Sequence, residues 1–404
     1  ADGSYKDMQN HIYFIRTLDL EPGKNRVRIL VDGEIVWGTK TYSIKEAREE
    51  LLSPVAEGQL DASECELFST DESSFRFIEN ANKGVYESVG EQRHFFAFVR
   101  FDGYEPRLTP KQWMDRYAQH SKEFFQEQSY GKLTLDFGYN SEWLNLGELG
   151  QSDRWLQGER TWEAHTKALN HALGGLDPSE DFSTFDGVHI VFGTDPKSAL
   201  TGTAGWHSPR GDFLKYDGKR FASSSSYSAD VLEDWGSYAP KVVTHEMGHS
   251  FGLQDLYAYE NSDGSYANHH RFVGSFDLMG YLKAESPSLF AWNKWRLGWL
   301  ADEQVLCLDQ ETGASVSLSS IGSREQIETP KLLAVRLGQE TRLVFEMRSE
   351  ENFDSDKHGI VAYQVSNRPN GAGSIQLIPK PTSYESTDPG QLLADGDRLC
   401  FEGI

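Results

Sequence analysis

One stretch near the middle of the chain restricts what this protein can be: Val242-Val243-Thr244-His245-Glu246-Met247-Gly248-His249-Ser250-Phe251-Gly252-Leu253-Gln254-Asp255. On a helix, His245 and His249 are about one turn plus 40° apart, so both imidazoles point to the same side. This spacing suits two nitrogen atoms that bind one zinc ion at about 2.0–2.1 Å. Glu246 lies about 100° further round the helix, beside the metal, where it can accept a proton from water. The spacing therefore predicts a zinc site with Glu246 as general base.

A third protein ligand is needed, because catalytic zinc usually takes three and leaves the fourth position to water. Gly252 can adopt a positive φ, so the chain can leave the helix sharply and bring Asp255 back to the metal. The motif then reads His-Glu-x-x-His-x-x-Gly-x-x-Asp. If Asp255 instead caps the helix exit, a downstream carboxylate, Glu260 or Glu285, supplies the third ligand.

A polar helix whose histidines only bridge their neighbours would show the same spacing. Against this reading, Val242, Val243, Met247 and Phe251 make the helix largely apolar. Burying two histidines and a glutamate among such residues without a metal would be costly. The pattern therefore favours a metal site.

Length and composition set the broad class of the protein. A chain of 404 residues exceeds the usual size of one domain core, so we expect two or three domains. Hydrophobic residues make up 38%, which supports packed cores, and no apolar run is long enough for a spanning helix. The net charge of −23 argues against nucleic acid as a partner. Some acidic loops, at 177–181 and 261–264, could hold structural calcium or simply be solvated.

The two ends of the chain read as β-rich. Short alternating runs indicate N-terminal strands at 11–15, 27–31 and 35–37. A charged helical stretch at 44–52 and a polar, acidic stretch at 56–90 follow. Similar runs beyond residue 300 lie at 316–318, 331–335, 343–347 and 360–365. We expect residues 1–90 to form a small β-rich unit and residues 301–404 a β-sandwich.

The middle of the chain, residues 91–300, mixes helices and strands. An apolar run at 94–101 is typical of a buried strand. Thr109, Pro110 and Gln112 are arranged as a helix start. A strand at 132–137, a helix from about 160 to 173 that stops at Gly174-Gly175, and a strand at 188–192 follow. This order predicts an α+β fold in which helices cover one mixed sheet.

The zinc motif, with Leu253 and Tyr257, resembles that of the immune-inhibitor-A-like secreted metalloproteases, a branch of the metzincin zinc peptidases. Residues 276–281 are similar to the tight Met-containing turn that metzincins place beneath the zinc, and 289–299 to that family's closing helix. Segments 129–133 and 205–208 also lie where such proteases have similar ones. The resemblance covers roughly residues 94–300, with a weaker similarity at 340–365, and leaves residues 1–90 outside.

The resemblance implies a metzincin-like zinc protease domain, in which an upper sheet subdomain and a lower irregular one flank a cleft. It implies the same ligands and base as the spacing does, with Met279 as the floor of the site. Aspartate as third ligand departs from the commoner histidine. Tyr281 is similar to the tyrosine that moves onto the zinc or the oxyanion in some metzincins, or it packs against the turn. His207 could line the cleft or be structural.

These observations favour a secreted zinc endopeptidase, a monomer that acts on protein or peptide substrates. The chain begins without Met or an apolar leader, as after signal cleavage or in a trimmed chain. Two alternatives stay open. One is an inactive protease-like binding module, against which the two histidines and the glutamate argue. The other is a metal-dependent hydrolase of other substrates, for which no carbohydrate or phosphate motif occurs.

Three cysteines are too few for a disulfide scaffold. Cys307 and Cys400 could be bridged within the last hundred residues, or all three could be thiols. Residues 1–90 could be a pro-like segment that blocks the cleft until it is cut away, since the stretch 56–90 has a composition that invites cleavage. Cys65 could then occupy the open position on zinc. The alternative is an accessory β-domain that packs on the sheet, with Cys65 as a buried thiol.

Overall fold

The computed structural model describes residues 12–21, 24–32, 59–67, 85–159, 161–193, 205–208, 214–258, 271–283, 288–310, 314–324, 329–349, 359–367, 373–378 and 392–393. Strands in the first three hundred residues are β1 (Ile12–Glu21), β2 (Lys24–Asp32), β3 (Gln59–Leu60), β4 (Gly90–Arg100), β5 (Leu133–Tyr139), β6 (Leu144–Asn145), β7 (Gly187–Gly193), β8 (Gly205–Ser208), β9 (Leu214–Tyr216), β10 (Lys219–Phe221) and β11 (Ser224–Ser228). Those beyond are β12 (Val305–Asp309), β13 (Ala314–Leu318), β14 (Leu332–Arg336), β15 (Thr341–Arg348), β16 (Gly359–Ser366), β17 (Ile375–Leu377) and β18 (Leu392–Leu393).

The helices are α1 (Pro110–Trp113), α2 (Gln119–Gln128), α3 (Trp162–Leu176), α4 (Val231–Asp234), α5 (Ala239–Ser250) and α6 (Ala291–Arg296). A π-helical turn, Met114–Ala118, joins α1 to α2. Short 3₁₀ turns lie at Ala62–Cys65, Gln151–Gln157, Phe182–Thr184, Gly236–Tyr238 and Asp302–Gln304. None of the helices described is long and apolar enough to cross a membrane.

The chain divides into two compact units. We call Arg76–Gln254 with Arg296–Trp299 the helix-bearing unit. The strand-rich unit contains Ala1–Phe75, Asp255–Trp295 and Leu300–Ile404. The boundaries predicted at 90/91 and 300/301 divide the chain into three consecutive domains, whereas each compact unit combines several segments. Those boundaries stay a prediction.

A six-stranded sheet forms the centre of the helix-bearing unit. Its order is β5-β4-β7-β11-β8, and β6 also pairs with β4. The pairs β4–β5, β4–β7 and β7–β11 are parallel, whereas β8 runs antiparallel to β11 at one edge. Parallel strands of this kind are normally covered on both faces, which explains why β4 reads as a continuous apolar run.

The side chains of β4 alternate between two helical layers. Phe95, Ala97 and Val99 pack in one cluster with the buried face of α3. Phe96 and Phe98 point the other way, and both of their rings contact Trp113 of α1. The unit therefore has three layers, with the sheet in the middle. The prediction of mixed α and β structure is confirmed.

The strand-rich unit contains two sheets. The larger has the order β17-β16-β15-β14-β12-β3, with β18 on β16, and only its β12–β14 pair is parallel. The smaller has the order β1-β2-β13. Val316 and Leu318 of β13 belong to one apolar cluster with Leu333, Phe345 and residues of β16 and β18. Each of the four strands predicted beyond residue 300 is present.

The first strands of the chain pair with its last third. β2 runs antiparallel to β13, with Val27 opposite Val316. β3 runs antiparallel to β12, with Leu60 opposite Cys307. The N-terminal strands therefore extend sheets formed by C-terminal residues. The strand predicted at 35–37 and the helix at 44–52 lie outside the described residues.

The cysteine predictions are wrong. Cys65 and Cys307, both fully buried, form a disulfide with a Cα–Cα distance of 5.8 Å. Cys307 is therefore not bridged to Cys400, and Cys65 is not a free thiolate that could bind zinc. The bridge links positions 242 residues apart, which stabilises the fold by about 5 kcal/mol in the chain-entropy description of disulfides.

Arg342 reinforces this bridge. Its guanidinium donates from Nε to the carbonyl of Cys65 at 2.8 Å and from Nη2 to those of Glu64 and Glu66 at 3.1 Å each. Three carbonyls on one buried guanidinium fix the 3₁₀ turn against β15. Residues 59–67 are thus held by a strand pair, a covalent bond and a charged donor.

One predicted helix end is also wrong. The helix expected to stop at Gly174-Gly175 continues to Leu176. A Cβ on Gly175 would lie 2.6 Å from Leu146 Cδ2 and 3.0 Å from Leu144 Cδ2. The glycine therefore permits close packing of α3 on the neighbouring β6 segment and does not end the helix.

The disulfide predicts that the two fragments stay joined when the chain is cleaved between Cys65 and Cys307. After cleavage at an engineered protease site within 68–84, the N-terminal fragment should stay joined to the rest in a non-reducing denaturing gel and separate once reductant is added. The same cut in a Cys65→Ala, Cys307→Ala variant is the control and should give two bands without reductant. Separation of the wild-type fragments under non-reducing conditions would contradict the bridge.

Candidate metal centre

The helix that carries the two histidines is α5. It starts with Pro240 near its N-terminus, a favourable position because the first helical N–H groups lack partners in any case. Val242, Val243 and Met247 are buried. His245 is 3% exposed, and His249 and Glu246 are half-buried. The apolar residues expected from the sequence thus pack the helix against the protein interior.

Hydroxyl groups of β11 fix the helix to the sheet. Ser225 Oγ donates to the carbonyl of Glu246 at 2.9 Å, and Tyr227 OH donates to that of Val243 at 3.2 Å. Within the helix, Thr244 Oγ1 donates to the carbonyl of Pro240 at 3.0 Å. The two bonds from β11 therefore attach the middle of the helix to the sheet, close to His245 in the sequence.

The helix ends in the sharp turn that the sequence predicts. Gly252 has φ +92°, a conformation that favours glycine. Its N–H donates to the carbonyl of His249 at 2.9 Å, and the N–H of Leu253 donates to that of Gly248 at 3.1 Å. A Cβ on Gly252 would lie 3.5 Å from Val85 Cγ1, an ordinary contact. The backbone angle, and not crowding, is therefore what requires glycine here.

The turn brings the three predicted ligands together. The candidate ligand atoms of His245, His249 and Asp255 all lie within 4.8 Å of one another. The two imidazole rings are perpendicular, with centroids 4.8 Å apart. Asp255 is 9% exposed. Among the residues that the structure describes, these three form the one group of at least three potential ligands that could hold a metal ion.

A hydrogen bond selects the nitrogen that His249 offers. Nδ1 of His249 lies 2.7 Å from the carbonyl oxygen of Leu253, which only accepts, so Nδ1 carries the proton. Nε2 then keeps its lone pair for a metal, and the carbonyl fixes the ring orientation.

The donor set fits zinc. Two imidazole nitrogens and one carboxylate are ligands that zinc takes in catalytic sites. Ligand atoms at about 2.0–2.1 Å from a tetrahedral ion lie roughly 3.4 Å from one another, so these atoms, which lie within 4.8 Å, would move closer together around the ion.

A buried carboxyl group closes the Met-containing turn. Asp277, fully buried, accepts from the N–H of Met279 through Oδ1 and from that of Phe290 through Oδ2, each at 2.8 Å. Burial raises the pKa of Asp277 to about 6, although these backbone donors oppose the shift. The carbonyl of Met279 accepts from the N–H of Leu256 at 2.9 Å. The turn is therefore bonded to the residue that follows the third ligand.

A second buried network supports α6. Glu346 accepts from the N–H of Ala291 at 2.6 Å, from Tyr363 OH at 2.7 Å and from Arg348 Nε at 2.6 Å. Glu346 and Arg348 are both fully buried. Neither this network nor the role of Asp277 was predicted from the sequence. A carboxylate two residues before Met279 was the available signal, because aspartate commonly bonds the backbone two residues on.

The other predicted residues are distributed as follows. Met279 is fully buried, and Tyr281 is half-buried directly after the turn, where its N–H donates to the carbonyl of Asp277 at 3.2 Å. His207 lies on β8. Asp181 caps the turn Phe182–Thr184. Glu260, Glu285, the acidic loop at 261–264 and Cys400 lie outside the described residues. The roles suggested for Tyr281, His207 and calcium stay predictions.

Comparison with protein-family models and with curated protein sequences gives no match. Among solved structures, the chain is similar to the crystal structure of metalloproteinase-II from Bacteroides fragilis. The TM-score is 0.30 and the sequence identity 14%, over 69% of this chain and 76% of the other.

Substitution of the third ligand separates metal binding from capping. Asp255→Ala should weaken zinc binding more than about 100-fold, since removal of a direct ligand should exceed the 10- to 100-fold effect of an outer-shell partner. If Asp255 only capped the helix exit, the variant would lose about 1 kcal/mol of stability and keep its zinc. Metal content after dialysis against a chelator measures this. Asp181→Ala, which removes an N-cap, is the matched control and should keep its zinc. Full zinc retention by Asp255→Ala would move the third-ligand role to Glu260 or Glu285.

Asp277 predicts a pH dependence of stability. Its raised pKa means that the folded state binds a proton more tightly than the unfolded state, so stability present below pH 4 is lost as the pH rises through 6. Relative to Asp277→Asn, the wild type should lose about 2 kcal/mol of unfolding free energy between pH 4 and pH 7.

Urea unfolding of both proteins across that range measures the difference. Asp181→Asn is the control of opposite sign, because hydrogen bonds from Ser183 lower the pKa of Asp181. Parallel stability curves for the wild type and Asp277→Asn would contradict the assignment.

Proposed function

We propose that this protein is a zinc-dependent endopeptidase. The observation that carries the proposal is the grouping of His245, His249 and Asp255 within 4.8 Å, with Glu246 adjacent on the same helix. The sequence resemblance to immune-inhibitor-A-like metalloproteases, which covers the zinc helix and the Met-containing turn, supports it. The substrates we propose are proteins or peptides.

The three ligands and the base have separate tasks. His245, His249 through Nε2, and Asp255 would hold the ion. Zinc, when bound, would supply a Lewis acid that polarises the scissile carbonyl and lowers the pKa of water. Glu246 follows His245 directly on the helix and is half-buried, and we propose that its carboxylate serves the site without being one of the metal's ligands.

Glu246 is the proposed general base and general acid. Its carboxylate accepts the proton of the attacking water and then gives it to the leaving amine. Such transfers are efficient when the base is held in place. The bond from Ser225 to the backbone carbonyl of Glu246 restrains the main chain of the residue that carries this base. Tyr281, immediately after the Met-containing turn, is proposed to stabilise the oxyanion.

Several further properties belong to the same proposal. We propose a secreted monomer without nucleic-acid partners, a setting that suits the buried Cys65–Cys307 disulfide. Structural calcium remains a proposal for the acidic loops. The inactive binding module is the alternative function, and the activity of the zinc-loaded wild type decides between the two.

Glu246→Gln tests the assignment of the base. The variant should keep its zinc and lose about 10²- to 10⁴-fold in kcat/KM on a casein or peptide substrate, because the amide cannot accept a proton. Zinc content and turnover are measured on the same preparation. Glu163→Gln, an isosteric change on the exposed side of α3, is the control and should leave both unchanged. Near-normal turnover of Glu246→Gln would show that another group is the base.

A further inference from the structure

The segment Arg296–Trp299, which we call the closing segment, belongs to the helix-bearing unit although its neighbours on both sides do not. Ser88 Oγ donates to the carbonyl of Leu297 at 2.8 Å, and Lys132 Nζ donates to that of Gly298 at 3.1 Å. Trp299 Nε1 donates to the carbonyl of Ser88 at 2.6 Å. These polar contacts fix the closing segment at its second, third and fourth residues.

The first residue of the closing segment contacts the turn that follows the zinc helix. Arg296 Nη2 donates to the carbonyl of Gly252 at 3.3 Å. The side chain is buried, 6% exposed, and burial lowers the pKa of Arg296 to about 9, so it is still charged at neutral pH. A buried cation is costly unless polar groups solvate it. Its contact with a turn carbonyl therefore constrains both groups.

The carbonyls of two consecutive turn residues are fixed from different sides. That of Gly252 accepts from Arg296, and that of Leu253 accepts from Nδ1 of His249. Because Gly252 has φ +92°, the direction of both carbonyls depends on one unusual backbone conformation. If the turn relaxed, His249 would lose the bond that assigns its tautomer. Asp255, three residues after Gly252, would lose its place within 4.8 Å of the histidines.

Aromatic packing supports the same turn. The rings of Trp299 and Phe125 have centroids 6.3 Å apart, and those of Phe125 and Phe251 5.1 Å apart. Trp299 is fully buried, and Phe251, the residue before Gly252, is 3% exposed. The closing segment thus contacts the turn in two ways. Arg296 bonds Gly252 directly, and Trp299 packs on Phe125, which in turn packs on Phe251.

We propose that Arg296 is a positioning residue for the metal centre. It holds the Gly252 turn in the conformation in which Leu253 orients His249 and Asp255 completes the ligand set. The inference rests on the proposed zinc site, although not on peptide hydrolysis. Arg296 lies 44 positions after Gly252 in the sequence and acts on the ligands without being one itself.

The experiment measures zinc affinity of the folded, metal-free full chain by competition with a chelating dye. Arg296→Met should weaken zinc binding about 10- to 100-fold, the range found when partners that orient metal ligands are removed. Arg296→Lys keeps a charged donor and should recover part of that loss. Arg342→Met is the matched control, since Arg342 is also buried and, among the residues that the structure describes, donates its hydrogen bonds to backbone carbonyls. It should lower the melting temperature and leave zinc affinity unchanged.

A double-mutant cycle tests the route through the turn. Gly252→Ala forces an L side chain into the left-handed region and should weaken zinc binding by itself. Combined with Arg296→Met, it should weaken binding by less than the product of the two separate effects, because both changes act on one turn. Independent, multiplicative effects would overturn the proposed route.

Wild-type zinc affinity in folded Arg296→Met would overturn the proposal. If that variant does not fold, Arg296→Gln takes its place, since it shortens the side chain and removes the charge, and unchanged affinity there overturns the proposal equally. A wild type that binds no zinc would reject the metal centre and this inference together. A wild type that binds zinc but hydrolyses no peptide would reject the endopeptidase proposal alone and leave the role of Arg296 supported by the affinities.

Discussion

The hydrogen bond between His249 Nδ1 and the carbonyl of Leu253 is the interaction on which the candidate site depends. It joins the last turn of α5 to the residue that follows the left-handed Gly252, so the orientation of one proposed ligand is tied to the path that leads to another. A helix that continued straight would carry the chain away from its own histidines. Because the bond is formed only when the chain reverses at Gly252, the reversal and the choice of ligand nitrogen are one structural event.

The residues around α5 explain how a helix with polar side chains packs among apolar ones. Strand β11 reads Ser-Ser-Ser-Tyr-Ser and is buried along its whole length. Serine side chains are small enough to let α5 approach, and the hydroxyls of Ser225 and Tyr227 donate to carbonyls in the middle of the helix. These two bonds attach the middle of α5 to the sheet, so the sheet contributes to the position of the helix as well as to its burial.

Local patterns predicted most of the elements. The apolar run of β4, the capping box at Thr109, the strands beyond residue 300 and the positive φ of Gly252 each follow from interactions within a few residues. The candidate ligands belong to the same class, since one helix and one turn contain all three. The features that could not be predicted join residues that are far apart in the sequence. The Cys65–Cys307 bridge and the pairing of β2 with β13 depend on which distant segments meet, and neither composition nor spacing encodes that.

The buried carboxyl groups illustrate the second reason for such failures. Asp277 and Glu346 look like ordinary acidic residues in the sequence, yet each accepts several hydrogen bonds in the interior of the strand-rich unit. A buried carboxylate persists only where such donors converge, and they come from the Met-containing turn, from α6 and from β15 and β16. The residues after Asp255 thus share one polar core with the C-terminal sheet. Asp277 and Glu346 bond the consecutive residues Phe290 and Ala291, so the Met-containing turn and strand β15 are both joined to the start of α6.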